Sequence, residues 1–413
     1  MTTPLTHERS LELSLEVSRI FTPAAPIDDK TLFAGRSKQI HDLIDAINQK
    51  GQHAIIFGDR GVGKTSLTNV LGGFLPQDGY TVTKRINCDK GDSFNSVWQK
   101  VFEEVQQSEV TKIAGFGSAG HPPRIDAYAD IISPDVVRRQ LEAWAKTSLP
   151  VLVIDEFDRV DSNYRVVFAD TIKTLSDHAV GATVILVGVA DSVDELISEH
   201  ESIQRALVQI KMPRMSRDEI KELLTKGIDR LGMTIDPPAL DRITILAQGL
   251  PHYAHLLGLH ATRAALDTLS NNIFIDVLDA AVGSALEGAQ QSIRSSWHKA
   301  TVSARKDNLF SDVLLSCALA KADDLGTFAA QDVRTALRVI TGKPYEIPNF
   351  AQHLSEFSDT KRGQILNKIG ESRRFRYRFT NPLMPPYVIM KGFVDKKVTS
   401  DVLRQLADSQ TTF

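Results

Sequence analysis

The spacing of apolar positions changes character twice along the chain. In the first half, short segments at His53–Phe57, Thr81–Asn87, Val151–Asp155 and Thr183–Val189 read as strands. Between them the apolar residues fall at helical spacing, as in Ile40, Leu43, Ile44 and Ile47, and again over Phe94–Val105 and Val136–Lys146. Strands alternating with amphipathic helices predict α/β architecture with a doubly wound parallel sheet. Beyond Met212-Pro213 the pattern predicts helices only, as far as about Glu287. Ser216-x-x-Glu219 is a capping box, Pro237-Pro238 opens a second helix, and Gly249-Leu250-Pro251 precedes a third. A third pattern starts near Ser303, with helices at Leu309–Ala320, Ala329–Ile340 and Phe350–Lys368 and then an alternating segment. The resulting division is 1–30, an N-terminal helix and Pro-punctuated linker; 31–214, the α/β core; 215–298, a helical domain; and 299–413, the last unit.

Composition narrows this little. A chain of 413 residues accommodates several cores. Two cysteines, Cys88 and Cys317, supply neither a disulfide framework nor a metal set. The polar N-terminus and the lack of a long apolar run lead us to expect a cytoplasmic protein without a membrane span. Charge is uneven: residues 301–413 hold 17 Lys+Arg against 12 Asp+Glu, net +5, which leaves −8 for the first 300 residues. Seven of those basic residues lie within Lys361–Arg378, beside a single acid, Glu371. Such a cluster is either a solvated face or a nucleic-acid footprint.

The chemistry begins at HAIIFGDRGVGKTSL, residues 53–67, which carries GxxxxGK[ST] between a predicted strand and a predicted helix. In that context the backbone amides of Gly58, Arg60, Gly61, Val62 and Gly63 and the following helix N-terminus converge on an anion. Lys64 would reach the β- and γ-phosphates, the Thr65 hydroxyl would ligate Mg²⁺, and Ser66 completes the cradle. VLVIDEFDRV delivers Asp155 and Glu156 at a strand end, the ligand edge of such a sheet. There Asp155 would hold Mg²⁺ and Glu156 would act as general base toward water. Asp158 and Asp161 read as surface or helix-cap acids. Asp191, after the next strand, is either a γ-phosphate sensor or a helix N-cap. Arg205 is a candidate arginine finger, with Arg214 as second choice, against the plainer reading of a surface salt bridge. Gly115–Gly120 spells GxGxxG, but no strand leads into it, so it reads as an inserted loop. His252, His255 and His260 share a predicted helix without metal-ligand partners.

On LFAGR (32–36), VIDE (153–156) and GLP (249–251) together with the phosphate loop, residues 31–290 resemble the AAA+ and STAND branch of P-loop ATPases, in particular origin-recognition initiator ATPases. The resemblance implies ATP with Mg²⁺. It places Phe33, Gly35 and Arg36 by the adenine and has Pro251 and His252 close from a helical lid. One feature departs from it: initiator lids commonly carry a sensor arginine where this chain reads Pro-His-Tyr, which implies a slow nucleotide switch. The last unit resembles a winged helix. In its SRRFRYRF strand Arg374, Arg376 and Arg378 would face outward toward duplex DNA while Phe375, Tyr377 and Phe379 pack inward. Two functions follow as expectations. One is a DNA-associated ATPase switch, with nucleotide-dependent self-association or a protein partner. The other is a STAND-type signalling or defence regulator whose nucleotide gates a protein partner without DNA.

Overall fold

The computed structural model describes residues 5–76, 80–113, 132–197, 203, 205–304, 308–323, 325–371 and 374–410. They form two compact units: Pro26–Pro213, and a discontinuous one built from Met1–Ala25 and Arg214–Phe413. The discontinuous unit starts with helix α1 (His7–Ile20), N-capped by Thr6.

The continuous unit runs α2 (Ser37–Asn48), β1 (His53–Gly58), α3 (Lys64–Leu71), β2 (Thr81–Asn87), α4 (Phe94–Ile113), α5 (Pro134–Trp144), β3 (Leu149–Asp155), α6 (Ser162–Asp177), β4 (Thr183–Val189) and β5 (Leu207–Lys211). The five strands are parallel in the order β2-β3-β4-β1-β5. Strands β1, β3 and β4 are apolar runs because helices cover both faces of the sheet, whereas β2 stands at an edge and is more polar. Register sets Asn87 opposite Asp155 and Gly58 opposite Val189, so the C-terminal strand ends lie along one edge. One face is sealed by an aromatic cluster. Phe168 meets Phe94 and Phe157 edge-on, each at 4.9 Å between centroids, and Trp98, Phe102 and Trp144 continue it. β5 carries no strand expectation above. The Gly115–Gly120 loop lies outside the described residues.

The discontinuous unit continues through α7 (Arg217–Arg230), β6 (Thr234–Ile235), α8 (Pro237–Ala247), α9 (Pro251–Asp267), β7 (Asn272–Ile273), α10 (Ile275–Gly288), α11 (Gln291–Thr301), α12 (Phe310–Ala318), β8 (Phe328–Ala329), α13 (Ala330–Thr341), α14 (Ile347–Phe357), β9 (Leu366–Ile369), β10 (Arg376–Phe379), α15 (Met384–Val394) and α16 (Ser400–Gln410). Ser216 and Glu219 form the expected capping box. Helix α1 packs on α9, burying Leu13, Val17, Ile20 and Phe21. Each contributes about 1.5–3 kcal/mol before chain entropy is counted. Phe21 fits because Gly227 and Gly258 carry no side chain: a Cβ there would lie 2.7 and 2.8 Å from its ring.

Three expectations change here. Residues 216–287 are not purely helical, since β6 and β7 form a short parallel ladder. The helix foreseen over Phe350–Lys368 ends at Phe357. Asp359 caps a single 3-10 turn over Thr360–Arg362, Gly363 takes φ +83°, and the chain leaves extended as β9. The antiparallel sheet β8-β10-β9 with α12, α13 and α14 is compatible with a winged helix.

The third change concerns the basic cluster. Tyr377 and Phe379 are buried as expected, but Phe375 precedes the strand, half-buried, with Lys368 Nζ 3.6 Å from its ring centroid. Arg376 does not present a free guanidinium to DNA; Nη2 lies 3.0 Å from Asp323 Oδ2 and donates to Thr327 O at 2.8 Å. Arg362 is likewise engaged, with Glu356 at 2.9 Å and the Phe310 ring 3.4 Å away.

Candidate active site

The phosphate loop is shaped by where its glycines must go. Gly58 ends β1 at φ +145°, and a Cβ there would meet Met212 O at 2.4 Å. No other residue fits that approach. Gly63 takes φ +94° and caps α3, which then starts at Lys64. Val62 is buried and Arg60 exposed at the loop tip. Lys64 is largely buried, its Nζ donating to Gly58 O at 2.8 Å and Asp59 O at 2.7 Å. Desolvation lowers its pKa to about 8, against the opposing pull of Asp158, Asp155 and Asp59. The ammonium thus braces the loop from inside, one side-chain rotation from any anion seated in it.

Across the loop, Thr65 Oγ1 donates to Asp155 Oδ2 at 2.9 Å. Asp155 is buried, and its Oδ1 accepts the Glu156 amide at 2.8 Å. A hydroxyl and a buried carboxylate side by side are hard oxygen donors of the type that holds Mg²⁺ with few protein ligands, so the residues fit that ion. Glu156 has φ +57° because both neighbours are committed inward, Asp155 to Thr65 and Phe157 to the aromatic core. Strain of this kind persists only where surroundings impose it. Its carboxylate is partly exposed and pairs with Arg159 at 3.1 Å.

The other expected residues are placed as follows. Arg36, at φ +64°, is buried and donates to Pro213 O at 2.6 Å and Val62 O at 3.4 Å, which pins the phosphate loop from behind. Phe33 and Gly35 are half-buried just before it. Ser66 Oγ accepts the Ile27 amide at 3.2 Å. Asp191 is exposed, its amide donating to Glu195 Oε2 at 3.1 Å, and the N-cap of the following turn is Ser192. Arg205 is exposed just before β5.

In the discontinuous unit, Pro251 is the first residue of α9 and His252 Nδ1 donates to Pro23 O at 2.7 Å. His255 is buried; its Nδ1 accepts the Thr22 amide at 3.3 Å, and desolvation lowers its pKa to about 4. Arg214 donates to Gln248 O at 3.2 Å and Pro382 O at 3.4 Å.

A family model described as Novel STAND NTPase 1 matches residues 24–272. The chain belongs to that family. None of the curated proteins compared with this STAND NTPase matches it significantly. Among solved structures, a Walker-type ATPase of Pyrococcus abyssi shares the fold at TM-score 0.54 with 15% identity, over 88% of this chain and 98% of that one. The Aeropyrum pernix ORC2 protein, solved as ADPNP-ADP complexes, gives TM-score 0.49 at 13% identity, over 96% and 98%. The Aeropyrum pernix ORC1 protein in complex with DNA gives 0.44 at 13%, over 92% and 97%.

Sequence reasoning missed three parts of this NTPase site. Arg85 on β2 lies 3.1 Å from Asp155 Oδ2. Asp158, read above as a surface or cap acid, accepts the Val189 amide at 2.8 Å and so ties the end of β3 to the end of β4. Arg165 on α6 donates to Asp158 O at 3.2 Å and to Glu195 O, holding the turns that carry Glu156 and Asp191. None had a local signal, because each contact depends on strand order. Asp161 does cap α6, as expected.

Proposed function

We propose that this STAND NTPase is an ATP-binding, slowly hydrolysing switch that uses Mg²⁺. The observation carrying this is the hydroxyl–carboxylate pair, Thr65 Oγ1 to Asp155 Oδ2 at 2.9 Å, beside a Lys64 already positioned at the phosphate loop. Bound between Thr65 and Asp155, Mg²⁺ would neutralise charge on the phosphate oxygens. Lys64 turns from Gly58 O and Asp59 O to the phosphates, and Glu156 takes a proton from water. Two features support slow turnover: Glu156 must first leave Arg159, and the residues after Pro251 are His252 and Tyr253, where a sensor arginine would speed hydrolysis. That brake is modest, since exposed ion pairs contribute about 0–1 kcal/mol.

For the output of the switch, the regulator reading gains over the DNA reading. Arg376 is held by Asp323, and α14, in the position of a winged helix's third helix, contains no Lys or Arg. We infer a protein partner gated by the nucleotide state. Purified Lys64→Ala should lose ATP binding, whereas Glu156→Gln should bind ATP with near-normal affinity and retain it unhydrolysed over many wild-type turnover times. Fluorescent-nucleotide binding with single-turnover hydrolysis measures both. Unchanged turnover in Glu156→Gln removes it from the base role.

A further inference from the structure

The Asp155 carboxylate oxygen that accepts the Thr65 hydroxyl has a second neighbour. Arg85 Nη2 stands 3.1 Å from Asp155 Oδ2 and donates to Asn87 Oδ1 at 3.1 Å, while Nη1 donates to Asn69 Oδ1. The guanidinium thus bridges three elements around the Asp155 carboxylate: β2, β3 through Asp155, and α3 through Asn69. Thr65 and Asn69 are four residues apart on α3, hence on one helix face. That spacing lets a single helix address both the carboxylate and its cation. Arg85 is also incompletely satisfied: its Nε is shut away from solvent without a hydrogen-bond partner. Its side chain is 30% exposed, against 4% for Asp155, so it has a route outward that the carboxylate lacks.

We propose that Arg85 is a displaceable counter-ion for Asp155. It holds the carboxylate in place against Thr65 until a divalent cation binds, and it sets the affinity of that cation by competing for Oδ2. A cation ligated at Oδ2 and a guanidinium 3.1 Å from the same oxygen repel strongly in a partly buried site, so one must yield. Arg85 yields because its remaining side-chain partners, Asn69 and Asn87, are neutral amides and its side chain is 30% exposed against 4% for Asp155. The proposal rests on the reading of Asp155 as a metal carboxylate and names Arg85 as a positioning residue; it assigns Arg85 no step in hydrolysis.

The test is a titration of Mn²⁺ into a stoichiometric complex of the full chain with ADP, with free Mn²⁺ followed by electron paramagnetic resonance. ADP affinity in EDTA serves as the fold check. Arg85→Gln removes the charge and should tighten Mn²⁺ binding on the order of tenfold with metal-free ADP affinity little changed. Arg85→Lys keeps a charge and should stay within about threefold of wild type. A merely structural arginine gives the opposite sign, and equal or weaker Mn²⁺ binding in Arg85→Gln overturns the proposal. If Arg85→Gln fails the fold check, Arg85→Lys decides, and a shift beyond about threefold in either direction counts against competition. Asp155→Asn separates the two readings. If it leaves Mn²⁺ affinity intact, Asp155 is not a metal carboxylate and both fail; if it abolishes binding while Arg85→Gln does not tighten it, only the Arg85 proposal fails.

Discussion

Lys64 combines two environments. Burial under its own loop brings its pKa to about 8, and a bound polyphosphate favours the charged form. Below pH 8 the lysine is protonated with or without nucleotide, and affinity is flat. Above it, the free protein loses the proton and must recover it on binding, so affinity falls by up to tenfold per pH unit until the pKa of the complex is reached. Calorimetry at pH 9 in two buffers of different ionisation enthalpy should detect net proton uptake, absent at pH 7. The grouping of Lys64, Thr65 and Asp155 at one strand edge was legible because their spacing and flanking elements are local properties. Arg85 was not, because its contact arises only when the edge strand β2 aligns Asn87 with Asp155. Glu156 was legible as an acid at a strand end, but its left-handed backbone depends on Phe157 finding the aromatic core.

At the scale of elements, β4 matches its apolar run end to end, because a strand covered on both faces leaves no alternation to misread, and the more polar edge strand β2 also keeps its expected bounds. The helix α14 was overextended for the converse reason: Leu354 and Phe357 on the helix and Leu366 on β9 are all buried, and spacing alone does not separate the two elements. The docking of α1 is a point where propensity and packing oppose each other. Alanine at Gly258 would favour helix α9 by about 1 kcal/mol. The added methyl would sit 2.8 Å from the buried Phe21 ring, an overpacking that costs about 1–3 kcal/mol. Gly258→Ala should therefore lower the unfolding free energy in the wild-type chain and raise it in Phe21→Ala. A denaturant double-mutant cycle reads the reversal, and equal effects in both backgrounds would deny the contact its role.

For the whole molecule, charge that looked available in one dimension is partly consumed in three. The segment Lys361–Arg378 suggested a polyanion surface, yet Arg362 and Arg376 are engaged within their own unit and Lys368 covers an aromatic ring. The proposed partner-gated switch then predicts weak duplex DNA binding. Between about 50 and 200 mM salt the affinity should change less than about tenfold, not the roughly thousandfold or more of proteins with six or more phosphate contacts. Fluorescence anisotropy at the two salt concentrations decides it, and a steep slope that Arg374→Ala reduces would restore the DNA reading. Among the described residues no helix is long and apolar enough to cross a membrane.

The chain enters the discontinuous unit, leaves it for the whole of Pro26–Pro213, and returns at Arg214. The hydrogen bond from Ser10 to Leu266 O closes over 256 positions. At translation rates of roughly 5–20 residues per second, α1 emerges some 13 to 50 seconds before the α9 surface that receives it. Throughout that interval the α9 surface on which α1 packs is missing, while the α/β unit behind it is already complete enough to fold. Helix α1, made before the α/β unit, is thus seated only after it, and its apolar stripe stays incompletely covered until α9 leaves the ribosome.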